Sequence, residues 1–362
     1  MRSREIAIWL TSIHGVSRGT IKFIEDYYGS LDEFWLSKKT DIPINNMASR
    51  RRQKIELIYS EKSKNNISNY FDELKKANGK VTTIFDSDYP EKLRLIPDFP
   101  YVLYYKGKLD FTNKSIAIIG ARKATYYGLW AAEKFSKKIA SENIDIISGL
   151  AKGIDTIAHK GALDVNKKTF AVLGNGIDVV YPKSNEKLYR CIEEQGAIIS
   201  EYPLGMIPKP QNFPQRNRII SGLADAVLVI EAKEKSGTLI TVNFALEQGK
   251  DVLAIPGNIN SLYSAGTNQL IKDGAQLVME PQDVLESLCG PYDIVINNNV
   301  DSLALTNEEK IIYNIVRNGP IHLDMIKYET NYSTSDLNSI LTLLEIKGII
   351  LKLPGNIFQL KD

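Results

Sequence analysis

The sequence predicts an α/β protein built on a doubly wound parallel sheet, because strand-like and helical patterns alternate over residues 115–280. The strand-like runs are nearly continuous in apolar character, as expected of strands that are buried on both faces. Four of the six runs end in Gly, Ser-Gly or Pro-Gly, so we expect the functional loops at the carboxyl edge of the sheet. The runs are SIAIIG, IDIISG, KTFAVLG, GAIISEYP, DAVLVIEA and DVLAIPG.

A helical region precedes this core. Residues 1–75 show helical patterns in EIAIWLTSI, GTIKFIEDYY and DEFWLSK, and they are predicted to form a SAM-like or helix-hairpin-helix-like domain. The turn at residues 14–17 could offer backbone N–H groups to a phosphate, although a plain tight turn is the favoured interpretation. The segments VTTIF and YVLYYKG are rich in β-branched and aromatic residues, and they open a core domain predicted over residues 80–288.

A small domain is predicted at the C-terminal end. The helical pattern is lost over residues 289–305, where Gly-Pro and three successive Asn residues indicate a linker. Residues 306–362 contain three helical segments and a hairpin around Pro-Gly-Asn, which is the pattern of a winged helix. The charged side chains from Ser333 to Lys347 sum to one net negative charge, which is unfavourable beside a phosphate backbone. We therefore expect this domain to contact protein rather than duplex DNA.

Composition restricts the class of protein. The 362 residues are 43% hydrophobic and 24% charged, as in an ordinary folded protein, and the net charge is +2. A nucleic-acid partner would therefore need a local basic patch. No apolar run approaches the ~18 residues of a membrane helix, so we expect a cytoplasmic protein without membrane insertion. Cys191 and Cys289 are expected to be small core residues, and the three scattered histidines argue against a metal site.

Basic residues follow the first strands of the core. In GARKATYYG, Arg122 stands where a GxGxxG dinucleotide fingerprint has its second glycine, and the second strand ends without an acid for a ribose. Arg122 and Lys123 beside a helix N-terminus suit a phosphate, the alternative being a surface arginine on a strand–helix turn. Lys152 lies in the glycine-bearing turn SGLAKG. Asp155 and His159 could be an acid–base pair, but an ordinary pair on one helix is favoured.

Later loops of the same edge supply further donors. Lys183 follows the third strand, and Ser236-Gly237-Thr238 precedes a helix as a typical anion cradle. Together with IPGN and GTNQLIKDGA, these glycine-bearing loops predict a phosphate-rich ligand.

The stretch FPQRNRIISGL combines an aromatic residue with two arginines. Phe213 could stack a base while Arg216 and Arg218 hold phosphates, as in proteins that bind single strands without sequence preference. Asn217 could fix the turn or touch a base. In the alternative interpretation Phe213 is a core residue and the two arginines pair with carboxylates.

The series of motifs resembles the DNA-processing protein A family, also called DprA or Smf. The motifs GARKATYYG, SGLAKGIDTIAHKGAL, AVLGNGIDVVYP, SEYPLG, FPQRNRIISGLADAVLVIEA, SGTLITVNFALEQG, AIPGN and GTNQLIKDGA occur in the family's order. The flanking helical and winged-helix domains are similar to extra modules of family members. The resemblance implies a Rossmann-like core domain, a homodimer formed through it, no cofactor and no enzymatic activity.

The resemblance also implies a function. The implied function is that of a protein of natural transformation or recombination. Such a protein binds single-stranded DNA, protects incoming strands and helps load the RecA recombinase. The nucleic-acid-binding residues would be Arg122, Lys123, Lys152, Lys183, Phe213, Arg216, Asn217, Arg218, Ser236, Gly237 and Thr238. The rival class is a small-nucleotide enzyme similar to phosphoribohydrolases, whose PGGxGTxxE pattern supplies a water-activating Glu. Thr241 stands at that position here, so the cradle is present without the acid.

Overall fold

The protein is described by a computed structural model, which covers residues 2–41, 47–62, 67–293, 305–316, 319–330 and 332–360. The chain forms two compact units, Met1–Tyr292 and Asp293–Asp362. Within the segment predicted as a linker, a helix extends to Asp293, and residues 294–304 lie outside the described residues.

The chain begins with helices and continues with alternating strands and helices. Up to Asp293 the helices are α1 (Ser3–Ser12), α2 (Arg18–Tyr28), α3 (Leu31–Leu36), α4 (Ser49–Lys62), α5 (Ile67–Lys76), α6 (Glu91–Arg94), α7 (Tyr126–Ser141), α8 (Ile154–Asp164), α9 (Glu186–Gln195), α10 (Asn212–Leu223), α11 (Gly237–Glu247), α12 (Ala265–Lys272) and α13 (Pro281–Asp293). The strands are β1 (Lys80–Thr83), β2 (Val102–Gly107), β3 (Ser115–Ile119), β4 (Asp145–Ser148), β5 (Thr169–Leu173), β6 (Ala197–Ser200), β7 (Ala226–Val229), β8 (Asp251–Ala254) and β9 (Gln276–Leu277). Every strand predicted in this part of the chain is therefore present, and β9 is additional.

One sheet contains these strands in the order β1-β2-β6-β5-β4-β3-β7-β8-β9. Strand β3 pairs in parallel with both β4 and β7, so that Ile116 lies opposite Ile146 on one side and Ala226 on the other. The pairs from β4 to β6 and from β7 to β9 are also parallel, while β1 and β2 add an antiparallel edge. All residues of β3 to β7 are buried, which explains their continuous apolar character. The predicted doubly wound α/β fold is confirmed.

The strand order reverses beside β3. The chain builds outward from β3 through β4, β5 and β6, and then returns to the other side of β3 as β7 and β8. In open sheets of this kind, ligands bind in the crevice at the carboxyl ends of the strands where the order reverses. The loops after β3 and β7 are therefore the expected walls of a site.

The N-terminal helices share a core with the sheet. Ile6 and Leu10 of α1 belong to the same buried cluster as Tyr104 of β2 and Leu173 of β5. The hydroxyl oxygens of Thr11 and Tyr104 lie 2.7 Å apart. This helical region is thus continuous with the α/β core inside the first unit.

The second unit forms the predicted winged helix, which is confirmed. It contains α14 (Asn307–Val316), β10 (Ile321–His322), α15 (Leu323–Thr330), α16 (Thr334–Ile346), β11 (Ile350–Leu353) and β12 (Ile357–Leu360). Thr306 caps α14, because the Glu309 N–H donates to the Thr306 hydroxyl and the Thr306 N–H donates to the Glu309 carboxylate. The sheet order is β10-β12-β11, so β10, which the sequence pattern did not indicate, pairs with the predicted hairpin.

Cys191 is exposed on α9, so the prediction that it is a core residue is wrong. Helix α9 is amphipathic, and its buried face is taken by Leu188, Tyr189 and Ile192. The side chain of Cys289 lies outside the described residues. No helix in the described part of the chain is long and apolar enough to cross a membrane.

Candidate functional site

A cavity of about 660 Å³ opens at the carboxyl ends of β3 and β7, where the strand order reverses. Its walls come from the loop after β3, one face of α10, the loop after β7 and the first turn of α11. Asp155 is the one carboxylate among its lining residues, against five basic side chains, so the cavity favours an anionic ligand. The basic lining residues are Arg122, Lys123, Arg216, Lys233 and Lys235.

The loop that carries Arg122 passes close to the start of α8 because two glycines lack side chains. A Cβ on Gly120 would lie 2.6 Å from Ile154. Gly153 has a φ of +79°, and a Cβ there would lie 2.3 Å from the Ala121 carbonyl oxygen. A side chain at either position would push the loop outward, so the two glycines set the position of the Arg122 backbone.

Glu231 occupies the N-terminal end of α7, the helix that follows β3. The N–H and the hydroxyl of Thr125, the N-cap of α7, both donate to its carboxylate. A Cβ on Gly128 would lie 2.3 Å from Glu231 Oε2, so the carboxylate lies against the first turn of the helix. In a dinucleotide-binding sheet the pyrophosphate takes this position. The buried Glu231 carboxylate at the N-terminus of α7 excludes a pyrophosphate from this position, which agrees with the incomplete GxGxxG fingerprint.

The N-terminus of α11, by contrast, opens into the cavity. Ser236 is its N-cap and accepts from the Thr238 N–H at 3.1 Å. A Cβ on Gly237 would meet nothing within 4 Å, so free space lies beside the backbone. Lys233 and Lys235 precede this turn and line the same cavity. A helix N-terminus with two hydroxyls and two ammonium groups suits a phosphate.

Arg216 reaches the cavity from α10, but its donors bind the sheet. The residue is 3% exposed, and Nη1 donates to the carbonyl oxygens of Gly149 and Val172 at the ends of β4 and β5. Burial lowers the pKa of Arg216 to about 10, and Asp155 opposes this effect, so the side chain is charged at neutral pH. Burial raises the pKa of Asp155, and the Arg216 charge opposes the rise. Arg216 thus joins two strand ends and gives the cavity a fixed positive charge.

Phe213 is surrounded by cationic and aromatic groups. The guanidinium carbons of Arg122 and Arg216 lie 5.3 and 6.0 Å from its ring centroid. The Tyr181 ring is tilted by 39° at a centroid distance of 5.6 Å. On the inner side, a Cβ on Gly174 would lie 2.9 Å from the ring, so the ring packs over the end of β5. Cation–π attraction therefore holds Arg122 above a half-buried aromatic side chain.

A smaller cavity of about 260 Å³ adjoins the first. The two share Arg122, Lys123, Tyr181 and Phe213, and Lys152 lines the smaller one. The structure thus brings together nine of the residues predicted from the sequence: Arg122, Lys123, Lys152, Phe213, Arg216, Asn217, Ser236, Gly237 and Thr238.

Arg218 and Lys183 lie elsewhere. Residues two positions apart on a helix face different sides, and α10 is helical from Asn212 onward. Arg218 lines a separate cavity of about 610 Å³ and pairs with Glu201 at 2.7 Å. This is the carboxylate pairing of the alternative interpretation. Lys183 is exposed in a short 3-10 helix and lines neither of the adjoining cavities. Arg218 and Lys183 therefore lie outside the pocket that they were expected to share with Arg122.

Asp155 and His159 have separate partners. Asp155 Oδ2 accepts from the N–H groups of Gly149 and Ala151 at 3.2 and 3.4 Å. His159 Nδ1 lies 2.7 Å from the Thr169 hydroxyl, and the residue is fully buried. Burial lowers the pKa of His159 to about 3, so the ring is neutral at neutral pH. These positions agree with the favoured interpretation, an ordinary pair on one helix.

Sequence reasoning missed two lysines and two tyrosines of the cavity: Lys233, Lys235, Tyr181 and Tyr263. Lys233 Nζ lies 4.6 Å from the Tyr263 ring centroid. A signal for the lysines was present, because EAKEKSG follows β7, whose carboxyl end adjoins that of β3. No group of three His, Cys, Asp or Glu side chains among the described residues could hold a metal ion.

The fold and the cavity define a Rossmann-like α/β protein with a basic, aromatic-lined pocket at the switch point of its sheet. The chain belongs to the DNA recombination-mediator protein A family, whose model matches residues 80–289. A second model, the DprA winged helix domain, matches residues 300–356. The family resemblance inferred from the motifs is confirmed.

Relatives and solved structures are similar over much of the chain. The protein Smf of Synechocystis is 33% identical over 398 residues, which is 99% of this chain and 100% of the relative. The DNA processing protein DprA of Streptococcus pneumoniae is 47% identical over 204 residues, 56% of this chain and 72% of the relative. An X-ray structure of DprA from that organism has a TM-score of 0.67 at 36% identity and covers 80% of this chain and 98% of its own. A structure of DNA processing protein A from Helicobacter pylori, which concerns a single-stranded DNA binding mode, has a TM-score of 0.53 at 30% identity, with coverages of 59% and 97%.

Proposed function

We propose that this protein binds single-stranded DNA in the pocket at the carboxyl ends of β3 and β7. The observation that carries the proposal is Arg122, held 5.3 Å from the Phe213 ring centroid in the same cavity as the open N-terminus of α11. An aromatic face accepts any base, and the surrounding cations and N–H groups accept phosphates. A duplex hides the faces of its bases, so the pocket favours single strands.

The proposed role of each pocket residue follows from its exposure and its hydrogen-bond partners. Arg122, Lys123 and Lys152 are exposed, and they are proposed to contact phosphates together with Ser236, Gly237 and Thr238. Phe213 and Asn217 meet the nucleotide. Arg216 contributes charge, since carbonyl oxygens already accept from its Nη1. Lys183 is proposed to contact the strand beyond the pocket, and Arg218 supports α10 from its other side.

We further propose that the bound strand is an intermediate of natural transformation or recombination. The protein would shield it from nucleases and help load the RecA recombinase in the cytoplasm, as a homodimer formed through the Rossmann-like domain. Family membership supports this role, as do relatives named DNA processing protein. The winged helix, whose α16 region carries one net negative charge, would contact protein in this role.

A binding protein fits the pocket better than an enzyme. A phosphoribohydrolase needs a carboxylate to activate water, and the corresponding position is Thr241, which is buried. Glu247 lies at the far end of α11 and is exposed. Asp155 accepts from two backbone N–H groups beside Arg216, which ties it to the loop. Incubation with nucleoside monophosphates should therefore release no free base.

The test is fluorescence anisotropy of labelled oligo-dT over a series of salt concentrations. Wild type should bind tightly. The logarithm of its binding constant should fall linearly with the logarithm of the salt concentration, because binding releases counterions from the DNA. Arg122→Ala should weaken binding and reduce the slope by about 1. Arg190→Ala removes the same charge from an exposed site on α9 and is the matched control. Equal affinity for duplex and single strand, or an unaffected Arg122→Ala variant, would overturn the proposal.

A further inference from the structure

A row of exposed aromatic side chains runs along α7, outside both adjoining cavities. Tyr126 is 93% exposed and Trp130 is 55% exposed. They are four positions apart, so they share one helix face and are separated by about 6 Å along its axis. Lys134 follows at the same spacing, with Nζ 5.2 Å from the Trp130 ring. Tyr127 completes the set, which we call the α7 aromatic row, with its ring centroid 6.0 Å from that of Trp130.

The row has a rigid base. The Tyr127 hydroxyl donates to the Pro256 carbonyl oxygen at 2.9 Å, which joins α7 to the loop after β8. The opposite face of α7 is buried against the core through residues such as Ala131 and Phe135. The aromatic side chains are therefore presented on an ordered surface.

The row begins where the pocket ends. Lys123 lines both cavities and lies three residues before Tyr126 on the same loop and helix start. A ligand that leaves the pocket past Lys123 would meet Tyr126 first and Trp130 next.

We propose that the α7 aromatic row is a second binding segment for the single strand, on which bases that leave the pocket stack. The proposal rests on the proposed function, because it extends the same DNA path. Alternating aromatic faces and ammonium groups form the surface that holds single strands without regard to sequence. Lys137 and Lys138 are paired with carboxylates, whereas no ion pair among the described residues includes Lys134. The Lys134 charge can therefore turn from Trp130 to a phosphate.

The charge of the row favours a nucleic acid over a second copy of the chain. A two-fold interface places the same patch on both partners, so Lys123 and Lys134 would face like charges across it. A phosphate backbone would neutralise both lysines instead.

Trp130 provides a direct signal, because the two other tryptophans, Trp9 and Trp35, pack against each other in the N-terminal helical region, with ring centroids 5.2 Å apart. Oligo-dT of about 6 and about 16 nucleotides would be titrated into the full chain while tryptophan fluorescence and affinity are followed. The long strand should quench the fluorescence of wild type and much less that of Trp130→Phe. Tyr126→Ala/Trp130→Ala should bind the long strand at least tenfold more weakly and the short strand equally well. Tyr328→Ala, at an 80% exposed aromatic of the winged helix, is the control and should change neither.

The outcomes separate this proposal from the proposed function. If Arg122→Ala loses binding while the double variant binds both lengths like wild type, the row is not part of the path and the pocket function stands. If wild type binds neither oligonucleotide, the proposed function fails and the row proposal fails with it. If the double variant dissociates a dimer in sedimentation without weakening long-strand binding, the row belongs to a subunit interface and the proposal is overturned.

Discussion

Arg216 and Arg218 lie two positions apart on α10 and act on opposite sides of that helix. Arg216 donates to the Gly149 and Val172 carbonyl oxygens at the strand ends, beside the pocket. Arg218 pairs with Glu201 at 2.7 Å in a different cavity. Two neighbouring arginines of one motif therefore affect the protein by different routes, one through the charge of the pocket and the other through the stability of the helix.

Replacing Arg218 should destabilise the protein without removing the pocket. Arg218→Met breaks a buried ion pair and leaves Glu201 without its cation, which costs about 3–5 kcal/mol. Urea denaturation measures the loss, and oligo-dT binding by the folded fraction should persist. The double variant Arg218→Met/Glu201→Leu should regain much of the stability. A single variant as stable as wild type would contradict the pairing.

Two glycines at helix starts should respond oppositely to a methyl group. Gly128→Ala places a Cβ 2.3 Å from Glu231 Oε2 and should cost about 1–3 kcal/mol or more. Gly237→Ala meets open space and should leave stability unchanged or raise it by up to about 1 kcal/mol. The same Gly237→Ala variant should weaken oligo-dT binding, because the methyl fills the space beside the α11 backbone. Thermal denaturation and anisotropy distinguish these effects, and equal behaviour of both variants would be evidence against the two environments.

Stability should fall as the pH is lowered from about 6.5 towards 3, in part because of His159. The unfolded chain protonates this imidazole near pH 6.5, whereas burial lowers the pKa in the folded protein to about 3. Between these values the unfolded state binds more protons, so the free energy of unfolding decreases by up to about 1.4 kcal/mol per pH unit. Denaturation of wild type and His159→Gln at pH 7, 6, 5 and 4 isolates this contribution. The variant should depend less steeply on pH, and parallel curves would refute the prediction.

Removal of the winged helix should leave single-strand binding intact. A chain that ends at Tyr292 keeps the first unit and every residue of the proposed pocket. Its affinity for oligo-dT should match that of the full chain within a factor of about two, by the additivity expected of independent sites. A large loss of affinity, or duplex binding that disappears with residues 293–362, would show that the winged helix contacts DNA.

The arrangement of the sheet could be predicted because it depends on local signals. Short, nearly continuous apolar runs marked β3 to β8, and their alternation with helices predicted a parallel, doubly wound sheet. The helix over Phe213 to Leu223 was harder to predict, because Phe-Pro and a cluster of polar residues are not a typical helical pattern. The helix begins at Asn212. Pro214 lies in the first turn, where proline is tolerated. Once the stretch is helical, its period separates Arg216 from Arg218.

Other parts of the site depend on contacts between distant residues, which one sequence does not reveal. Glu231 binds Thr125 across 106 positions of chain, and nothing in the run VLVIEA indicates that its acid caps another helix. Burial likewise decides that Arg216 joins two strand ends, although the residue type alone suggested a phosphate ligand.

The Glu231 carboxylate also affects which molecules can compete for the pocket. A cell contains many dinucleotide cofactors, and a sheet of this type offers them a binding edge. Glu231 belongs to the same chain and is hydrogen-bonded to Thr125 at the N-terminus of α7. Its effective concentration at that helix end is therefore independent of the concentration of cofactors in solution. A cofactor would have to displace that carboxylate before its pyrophosphate could reach the N-terminus of α7. Glu231 thus occupies the N-terminus of α7, while the N-terminus of α11 stays accessible to a longer polyanion.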